Sequence, residues 1–433
     1  MNVGRLTARM RAFRVLRAFR ALVSPRSVLT GSLFVMALVA LYQSYRTRRA
    51  VKETQPPVES PLPEPAPHVS IILPVRDEEA NLEACVSTLL AQDYPDFDIT
   101  IIDDDSTDAT PRLLAEMVGR DRRIKVVRID RLPSSWAGKP HALHTGVMHT
   151  NGEWLLFTDA DTRHAPQTLR RMVEHAIHQQ DDLLSMSTDL MSMSGTAMPL
   201  LMPLSEIILA HRVTPGEVKD PAYPRAFAFG QYILVRREAY IASGGYATSY
   251  MRTTFIDDLA LAEQFKSYGK RVELVDGRGL VRNRQWTTWK SARQGWGKSC
   301  YSEIIRLRVP LGGAPAALAL ILYGLGPLLT AISALFKRKR QKGYALPTLL
   351  AAITLLAQID AKRRADRQHH LPFAWALAAP LSWAIFGIMV LDVAWQILTG
   401  RGAQWKGRRI QIPFHTESKL AQADVSSTFA EVL

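Results

Sequence analysis

Several features that are common in chains of this length are missing from the sequence. Among 433 residues there are two cysteines, Cys85 and Cys300, which lie far apart and lack the spacing of metal ligands. They indicate reduced thiols in a cytosol-facing protein rather than a disulfide framework. No small-residue cleavage site follows the first apolar run, which favours an uncleaved anchor over a signal peptide. No nucleic-acid-binding motif is present, so we expect no nucleic-acid partner.

Acidic residues are also absent from the N-terminal region. No aspartate or glutamate occurs before Glu53, although the same stretch carries eleven arginines and lysines. Over the whole chain, 54 Lys and Arg face 40 Asp and Glu, which gives a formal net charge of +14. Because the basic clusters flank apolar segments, we interpret the excess as attraction to anionic membrane lipids.

Uncharged apolar runs lie near both ends of the chain. Residues 28–42 form one run, and residues 309–336, 344–359 and 371–391 form three more. Residues 56–67 carry six prolines and are predicted to be an extended spacer. The predicted organisation is a basic amphipathic segment 1–27, a transmembrane anchor 28–45, a proline-rich linker 46–67, a globular unit 68–308, a C-terminal membrane region 309–398 with two or three apolar segments, and a basic, then polar tail 399–433.

The globular unit alternates strand patterns with short helical patterns. Strands are predicted at 69–74, 99–102, 124–128 and 154–157, and helices are predicted at 81–90, 109–118 and 139–148. This alternation predicts an α/β unit built on a doubly wound parallel sheet.

Carboxylates follow two of the predicted strands. Asp159 and Asp161 come after the apolar run 153–157, and the acidic stretch 103–108 follows the strand 99–102. Open α/β sheets bind ligands at the carboxyl ends of their strands, so we expect one shared cleft. Two carboxylates one residue apart can hold a divalent cation, which usually needs further anionic oxygens such as phosphates. The pattern therefore predicts an enzyme.

Seven motifs in order carry a family resemblance across the globular unit. They are SIILPVRDEE at 70–79, IDDDSTD at 102–108, WAGKPHAL at 136–143, TDAD at 158–161, GQYILVRREAY at 230–240, SGG at 243–245 and IDDLAL at 256–261. In these motifs the chain resembles the family-2 glycosyltransferases of the GT-A fold. Within that family it is similar to the membrane-anchored group that includes hopanoid-associated and carotenoid glycosyltransferases.

The resemblance implies a Rossmann-like GT-A domain and an inverting, metal-dependent transfer of a sugar. The donor would be a nucleotide sugar, a UDP-sugar by resemblance, and the acceptor a lipid-like molecule. The implied roles are a catalytic base at Asp258 with Asp257 beside it, a Mg²⁺ or Mn²⁺ site at Asp161 and Asp159, donor contacts at Pro74, Asp77, Glu78, Asp104, Lys139, Asp159, Gln294, Trp296 and Lys298, and acceptor contacts at Gly230, Gln231, Trp286 and Trp289.

Purely structural roles compete with some of these assignments. Asp105, Ser106 and Asp108 can cap the helix that starts near residue 109. Lys139 can be a solvated lysine, and either aspartate at 257–258 can cap the helix that follows. The methionine- and leucine-rich segment 183–209 is predicted either to form a lipid-binding wall or to pack in the core.

The sequence also departs from the family pattern. The C-terminal Gln-x-x-Arg-Trp motif is degraded to RQGWGK at 293–298, which leaves Lys298 where an arginine would pair with the diphosphate. Phe229 replaces a common Asn, His144 replaces an Asn, and Tyr246 replaces the His that follows the double glycine. These substitutions leave the acceptor open.

Two alternative functions stay open from the sequence. A processive polysaccharide synthase is disfavoured by the degraded motif and the small number of clear spans. A non-catalytic membrane scaffold is disfavoured because the acidic residues Asp104, Asp161 and Asp258 are intact. Because nucleotide sugars are made in the cytosol, we expect a multi-pass membrane protein whose globular unit faces the cytoplasm.

Overall fold

The computed structural model describes residues 24–193, 195–284, 288–336, 344–405 and 408–410. Most of the predicted basic segment 1–27, Trp286 and most of the tail 399–433 lie outside these residues. The chain forms two compact units. One comprises Met1–Arg48, Pro199–His211 and Gly313–Asp392, and the other comprises Arg49–Met198, Arg212–Gly312 and Val393–Leu433. We call them the helical unit and the sheet unit.

Twelve strands are present in the described residues. They are β1 Val69–Val75, β2 Phe97–Asp104, β3 Ile124–Ile129, β4 Trp154–Thr158, β5 Thr162–His164, β6 Leu183–Ser187, β7 Asp189–Leu190, β8 Tyr232–Arg236, β9 Val272–Asp276, β10 Val281–Asn283, β11 Ala403–Trp405 and β12 Arg408–Ile410.

The α-helices of the described residues alternate with the strands in the sheet unit and dominate the helical unit. They are α1 Pro25–Glu53, α2 Leu82–Leu90, α3 Thr110–Val118, α4 Gly138–Met148, α5 Thr168–Gln179, α6 Ala197–Arg212, α7 Pro215–Lys219, α8 Arg237–Ala242, α9 Ser249–Thr253, α10 Asp257–Ser267, α11 Trp289–Arg306, α12 Ala314–Phe336, α13 Ala345–Gln368 and α14 Ala379–Leu398. Short 3₁₀ turns occur at Gly245–Ala247, Pro310–Gly313 and Phe373–Ala378.

A seven-stranded sheet in the order β3-β2-β1-β4-β8-β6-β9 forms the centre of the sheet unit. β1 pairs in parallel with β2 and β4, and β2 pairs in parallel with β3. β8 runs antiparallel to both β4 and β6, so the predicted all-parallel sheet is wrong at this strand. The hydrophobic pattern of a buried strand does not encode its direction, because both faces are covered either way.

The inner strands are buried on both faces. Ile71 of β1, Ile99 of β2 and Leu156 of β4 are each at most 1% exposed. Such near-continuous apolar runs are typical of strands covered by helices on both sides. The buried strands fix the positions of their ends, and the residues just past those ends are therefore fixed as well.

A second sheet of three short strands, in the order β5-β10-β7, lies beside the acidic motif. β5 begins at Thr162, directly after Asp161, and pairs antiparallel with β10. The amide of Arg284 donates to the carbonyl oxygen of Asp161 at 2.9 Å. The backbone of Asp161 is therefore held by the strand pairing rather than left in a free turn.

The proline-rich linker is shorter than predicted. Helix α1 continues to Glu53, so the first part of the predicted linker 46–67 is helical. The segment that follows is held against the sheet unit. The amide of Asp276 donates to the carbonyl of Gln55 at 2.7 Å, and the amide of Val58 donates to His175 at 2.8 Å.

In the described residues, four helical segments are long and apolar enough to cross a membrane. They are Pro25–Glu53, Leu311–Phe336, Ala345–Gln368 and Phe373–Leu398. The third segment extends beyond the predicted run 344–359. The prediction stopped early because the last turns of the helix carry charged residues. Within the helical unit, the Lys362 ammonium donates to Asp366 at 2.6 Å and to the carbonyl of Pro199 at 2.8 Å.

The predicted methionine-rich segment 183–209 divides between the two units. Met186 lies on β6 and is fully buried in the core of the sheet unit. Residues Pro199–His211 of α6 belong to the helical unit. Met186 therefore packs in the core, whereas Met191 is 36% exposed, and the second part of the segment belongs to the helical unit.

The double glycine of the SGG motif forms a turn that packs closely against the ring of Tyr240. Gly244 and Gly245 have φ values of +81° and +46°, in the left-handed region that favours glycine. A Cβ atom on Gly245 would overlap the ring of Tyr240. The motif therefore allows close approach of the turn to Tyr240.

We expect Gly245→Ala to lower the free energy of unfolding by about 2–4 kcal/mol, since the overlap adds to the backbone strain. Gly269→Ala is the matched control, because Gly269 has a φ of +68° and no heavy atom lies within 4 Å of the position that its Cβ atom would take. It should cost about 1 kcal/mol. Equal losses, measured by denaturant unfolding, would contradict the packing role of Gly245.

Candidate active site

The strand ends of the central sheet bring the predicted acidic residues to one edge. β4 ends at Thr158, whose partner across the ladder is Tyr232 at the start of β8. Asp159, one residue past β4, therefore lies beside Gly230 and Gln231, just before β8. The hydroxyl of Thr158 donates to the carbonyl of Gln231 at 2.8 Å and fixes this junction.

Lys139 lies at the centre of an acidic cluster. It is the second residue of α4, and its ammonium is 2.7 Å from Asp159 and 3.7 Å from Asp257. Burial alone would lower the pKa of Lys139, but the charges of Asp159, Asp257 and Asp258 outweigh burial and raise the pKa. Lys139 is therefore a charged group held by carboxylates, and not a solvated lysine.

Gly230 lies where these side chains converge. Its amide donates to Asp258 Oδ2 at 3.2 Å. A Cβ atom at this position would lie 3.3 Å from Lys139 Nζ, 3.4 Å from Asp258 Oδ2 and 3.7 Å from Asp159 Oδ2. A side chain here would crowd the cluster, so glycine leaves room for a ligand between the lysine and the carboxylates.

Asp258 is a partly buried carboxylate with a raised proton affinity. Burial and the neighbouring charge of Asp257 raise the pKa of Asp258 to about 6, while Lys139 and Lys298 act in the opposite direction. Helix α10 starts at Asp257, and its N-cap, Ile256, has no side-chain capping bond. Of the two aspartates, Asp258 contributes to the alternative, helix-capping role, because its Oδ1 atom accepts from the Leu259 amide in the first turn at 2.8 Å.

Asp257 lies between a cation, Lys139, and a hydrogen-bond donor, Tyr246. Its Oδ2 atom is 3.7 Å from the Lys139 ammonium and accepts from the Tyr246 hydroxyl at 3.5 Å. Lys298 on α11 lies in the same charge environment. Burial lowers the pKa of Lys298, while Asp257 acts to raise it.

Asp104 lies in a second part of the edge, at the end of β2. It is 6% exposed, and the Arg76 guanidinium lies 3.8 Å from its carboxylate and donates to its carbonyl at 2.7 Å. His141 on α4 lies close enough for the charge of Asp104 to act on it. Burial lowers the pKa of His141, and Asp104 opposes that shift. Arg76 and His141 were not predicted, although both lie inside the matching motifs.

The other residues of these loops hold the loops to each other. Asp77, at a φ of +51°, accepts from the amide of Thr107 at 2.8 Å. Asp103 accepts from the amide of Ser106 at 3.0 Å, and Asp108 accepts from the amide of Thr110 at 2.9 Å. Asp108 therefore has the predicted capping role, while Ser106 serves as a donor to Asp103. Glu78 accepts from Asn81, and Pro74 lies on β1 opposite Ile102.

The residues predicted on α11 differ in burial. Trp296 is 9% exposed, whereas Gln294 is exposed and lies one turn before Lys298 on the same helical face. Trp289 is 44% exposed, and its indole donates to Thr196 at 3.2 Å. No contact between Gln294 or Trp289 and the acidic cluster is found in the described residues, so their ligand roles stay predictions.

Asp159 and Asp161 offer a suitable donor set for a divalent cation. The two residues follow β4 directly in the chain. Asp159 Oδ1 is paired with Lys139, and Asp159 Oδ2 lies on the side of Gly230. Carboxylate oxygens are the ligands that Mg²⁺ and Mn²⁺ prefer. The residues present therefore fit such an ion.

A second cluster does not fit a metal. His175, Asp181 and Glu273 are the only three His, Cys, Asp or Glu side chains of the described residues grouped closely enough to hold one. The Val58 amide donates to His175 Nδ1, so the proton of a neutral ring lies on Nε2, and that nitrogen has no lone pair for a metal. Burial and the charge of Glu273 raise the pKa of Asp181 to about 8, and Lys219 pairs with Glu273 at 2.8 Å.

The acidic motif past β4 and the lysine on the adjoining helix α4 thus lie together at the carboxyl edge of the central sheet. Residues 70–244 match the family described as Glycosyl transferase family 2. The chain therefore carries a family-2 glycosyltransferase domain and resembles the carotenoid-type members of that family.

Named relatives and a solved structure agree with this assignment. The chain is 27% identical over 240 residues to 4,4'-diaponeurosporenoate glycosyltransferase of Staphylococcus aureus strain USA300, covering 53% of this chain and 60% of the relative. With the same enzyme of strain bovine RF122 it is 25% identical over 360 residues, covering 79% and 88%. A mannosyltransferase from Pyrobaculum calidifontis, solved with GDP-Man and Mn²⁺, has a TM-score of 0.52 at 18% identity, covering 87% of this chain and 98% of that structure. The last likeness shows the shared GT-A fold.

The raised pKa of Asp258 makes a prediction about stability. A carboxyl whose pKa is higher in the folded state binds protons more tightly there, so its contribution to stability falls as pH rises from about 4 to about 6. We expect Asp258→Asn to raise the melting temperature above that of the wild type at pH 8, and the gain to vanish below about pH 4.

The matched control is Asp130→Asn, because the Asp130 side chain is 86% exposed. It should change the melting temperature little at any pH. An Asp258→Asn variant that melts below the wild type at pH 8 would contradict the raised pKa of the carboxyl.

Proposed function

We propose that the protein is a membrane-bound inverting glycosyltransferase that moves a sugar from a nucleotide-sugar donor to a lipid-like acceptor. The observation that carries the proposal is the convergence of Lys139, Asp159 and Asp258 around Gly230. One cation and several carboxylates at a strand edge suit a diphosphate leaving group on one side and a proton acceptor on the other.

The donor is proposed to lie along the edge from β2 to β4. Asp104, with Arg76 fixing it, is proposed to accept from the ring N–H of a uracil, and the choice of a UDP-sugar follows from the family resemblance. Lys139 lies on the path to the diphosphate and can exchange its carboxylate partner Asp159 for phosphate oxygens. Lys298 lies near the same acids and supplies a second positive charge.

Asp159 and Asp161 would hold the divalent cation. When bound, that ion neutralises the charge that develops on the diphosphate as the glycosidic bond breaks. The residues of the chain then have separate tasks. Asp159 and Asp161 hold the cation in place, and Lys139 donates to the phosphates and offsets part of their negative charge.

Asp258 is proposed to take the proton of the acceptor hydroxyl. An inverting transfer needs a carboxylate on the face opposite the leaving group, where the acceptor oxygen attacks the anomeric carbon. With a pKa of about 6, Asp258 is ionised at neutral pH and yet basic enough to accept a proton in the transition state. The Gly230 amide holds one of its oxygens at 3.2 Å.

A lipid-like acceptor is supported by the apolar helices and by the relatives. Four helical segments have the length and composition of membrane spans, and the relatives are named for transfer to 4,4'-diaponeurosporenoate. The matched region covers 60% of the first relative's length, so the acceptor of this protein is part of the proposal and is tested directly. Purified protein, a panel of nucleotide sugars and a total lipid extract should yield a lipid heavier by one sugar in mass analysis.

Removal of divalent cations should abolish transfer. If Asp159 and Asp161 hold the ion, a chelator should stop donor turnover, and added Mg²⁺ or Mn²⁺ should restore it. Asp161→Asn should weaken donor binding mainly when the metal is present. Full activity in excess chelator would contradict this metal site.

The two adjacent aspartates should separate in kinetics. Asp258→Asn keeps the shape but removes the proton acceptor, so transfer should fall by roughly two to four orders of magnitude, with donor affinity within a few-fold. Asp257→Asn should be milder, because it weakens the ion pair with Lys139 and lowers the pKa of Asp258 without removing the proton acceptor. The reverse order of losses would show that Asp257 is the base.

A further inference from the structure

Tyr246 stands out in the sequence because it replaces the histidine usual in the family, and the structure gives it a specific place. Its side chain is 0% exposed, and its hydroxyl donates to Asp257 Oδ2 at 3.5 Å. The same oxygen lies 3.7 Å from the Lys139 ammonium. The carboxylate of Asp257 therefore lies between a neutral donor and a cation.

The position of the phenol is fixed by its neighbours. The Tyr240 hydroxyl accepts from the amide of Tyr246 at 2.9 Å, and the ring of Tyr246 packs edge-on against Phe157 at 5.6 Å. Tyr240 is in turn approached closely by Gly245, where a Cβ atom would overlap its ring. The double glycine, Tyr240 and Tyr246 thus form one packed series that ends at Asp257.

The same turn also holds helix α10 further along. The Gln264 amide donates at 2.9 Å to the carbonyls of both Ser243 and Gly245. Gln264 lies seven residues after Asp257, which is about two helical turns on nearly the same face. The turn therefore fixes α10 at two points, and Tyr246 is the point that touches the acidic pair.

We propose that Tyr246 is a positioning residue for the acidic pair. Its hydroxyl keeps the Asp257 carboxylate turned toward Lys139, so that Asp258 is the carboxylate left to accept the acceptor's proton. The inference rests on the proposed function. A carboxylate held toward a cation is kept away from its neighbour, and like charges that approach each other raise the pKa of a carboxyl group.

Several charged groups surround Asp257 and Asp258, and a substitution that tests Tyr246 must leave them unchanged. Lys139 from α4, Lys298 from α11 and Asp159 beyond β4 all act on the acidic pair. Tyr246→Phe leaves these groups in place and removes one hydroxyl. Tyr232→Phe is the matched control, because Tyr232 is also fully buried and its hydroxyl has no hydrogen-bond partner in the described part of the chain.

For transfer, we expect Tyr246→Phe to lower kcat by roughly 3- to 10-fold, with the donor Kd changed less than about 2-fold. The acid limb of the kcat–pH profile, which reports Asp258, should move to higher pH by about half a unit, since an Asp257 carboxylate no longer held toward Lys139 can approach Asp258 and raise its pKa further. Tyr232→Phe should change neither. If both variants behave alike in kcat and pH profile, Tyr246 only fills space and the inference is wrong.

A measurement that needs no transfer separates this inference from the proposed function. The contact between the Tyr246 hydroxyl and Asp257 exists only while the carboxylate is present, so the two side chains should be coupled in stability. Tyr246→Phe should lower the melting temperature more in the wild-type background than in an Asp257→Ala background, whereas Tyr232→Phe should shift it equally in both. An equal shift for Tyr246→Phe in the two backgrounds would overturn the inference.

The outcomes remain distinct if one of the two ideas fails. A wild-type protein without transfer overturns the proposed function, and the melting temperatures then decide the role of Tyr246. If Tyr246→Phe does not fold, Tyr240→Phe removes only the hydroxyl that holds the Tyr246 amide. That variant should show the same signs with smaller shifts, and their absence would count against the positioning role.

Discussion

The arrangement of the site depends on one ammonium among carboxylates. Lys139 lies 2.7 Å from Asp159 and 3.7 Å from Asp257, and without its charge the acids around Gly230 would repel each other in a buried space. Burying like charges is costly unless opposite charge and hydrogen bonds compensate. The pair of contacts also ties α4, whose second residue is Lys139, to the tip of β4 and to the start of α10. The charge of Lys139 therefore links the three elements that carry the proposed donor and acceptor residues.

The frame that makes this anchor possible is the register of the central sheet. Pairing of Thr158 with Tyr232 sets Gly230 beside Asp159, and the absence of a side chain at Gly230 lets Asp258 approach its amide. The direction of β8 matters here, because the chain enters β8 from the carboxyl edge of β4 only when the two strands run antiparallel. A parallel β8 would place its first residues at the opposite edge. β8 runs opposite to the predicted parallel direction, and it is thus the strand that completes the site.

Sequence patterns predicted those parts of the site that depend on local order. The strands, the acids past β2 and β4 and the lysine at the start of α4 follow from hydrophobic runs and from the residues that end them. Contacts between distant segments could not be predicted in this way. The Tyr246 hydroxyl reaches Asp257 only because Gly245 approaches Tyr240, and the Arg76 guanidinium reaches Asp104 across two loops. The end of α1 at Glu53 and the charged last turns of α13 were missed because apolar runs predict the buried part of a helix and not its ends.

The two adjacent aspartates show how one sequence pair acquires two environments. Asp257 has a lysine at 3.7 Å and a phenol at 3.5 Å, whereas Asp258 accepts from two backbone amides, those of Gly230 and Leu259, and lies in the negative field of its neighbour. The first environment holds a carboxylate in place, and the second leaves a carboxylate that binds a proton more readily. Pairs of acids whose surroundings push their proton affinities apart are a recurring basis for acid–base assignments. The difference does not arise from residue type, since both are aspartates. It arises from the turn that fixes Tyr246 and from the glycine that admits Asp258.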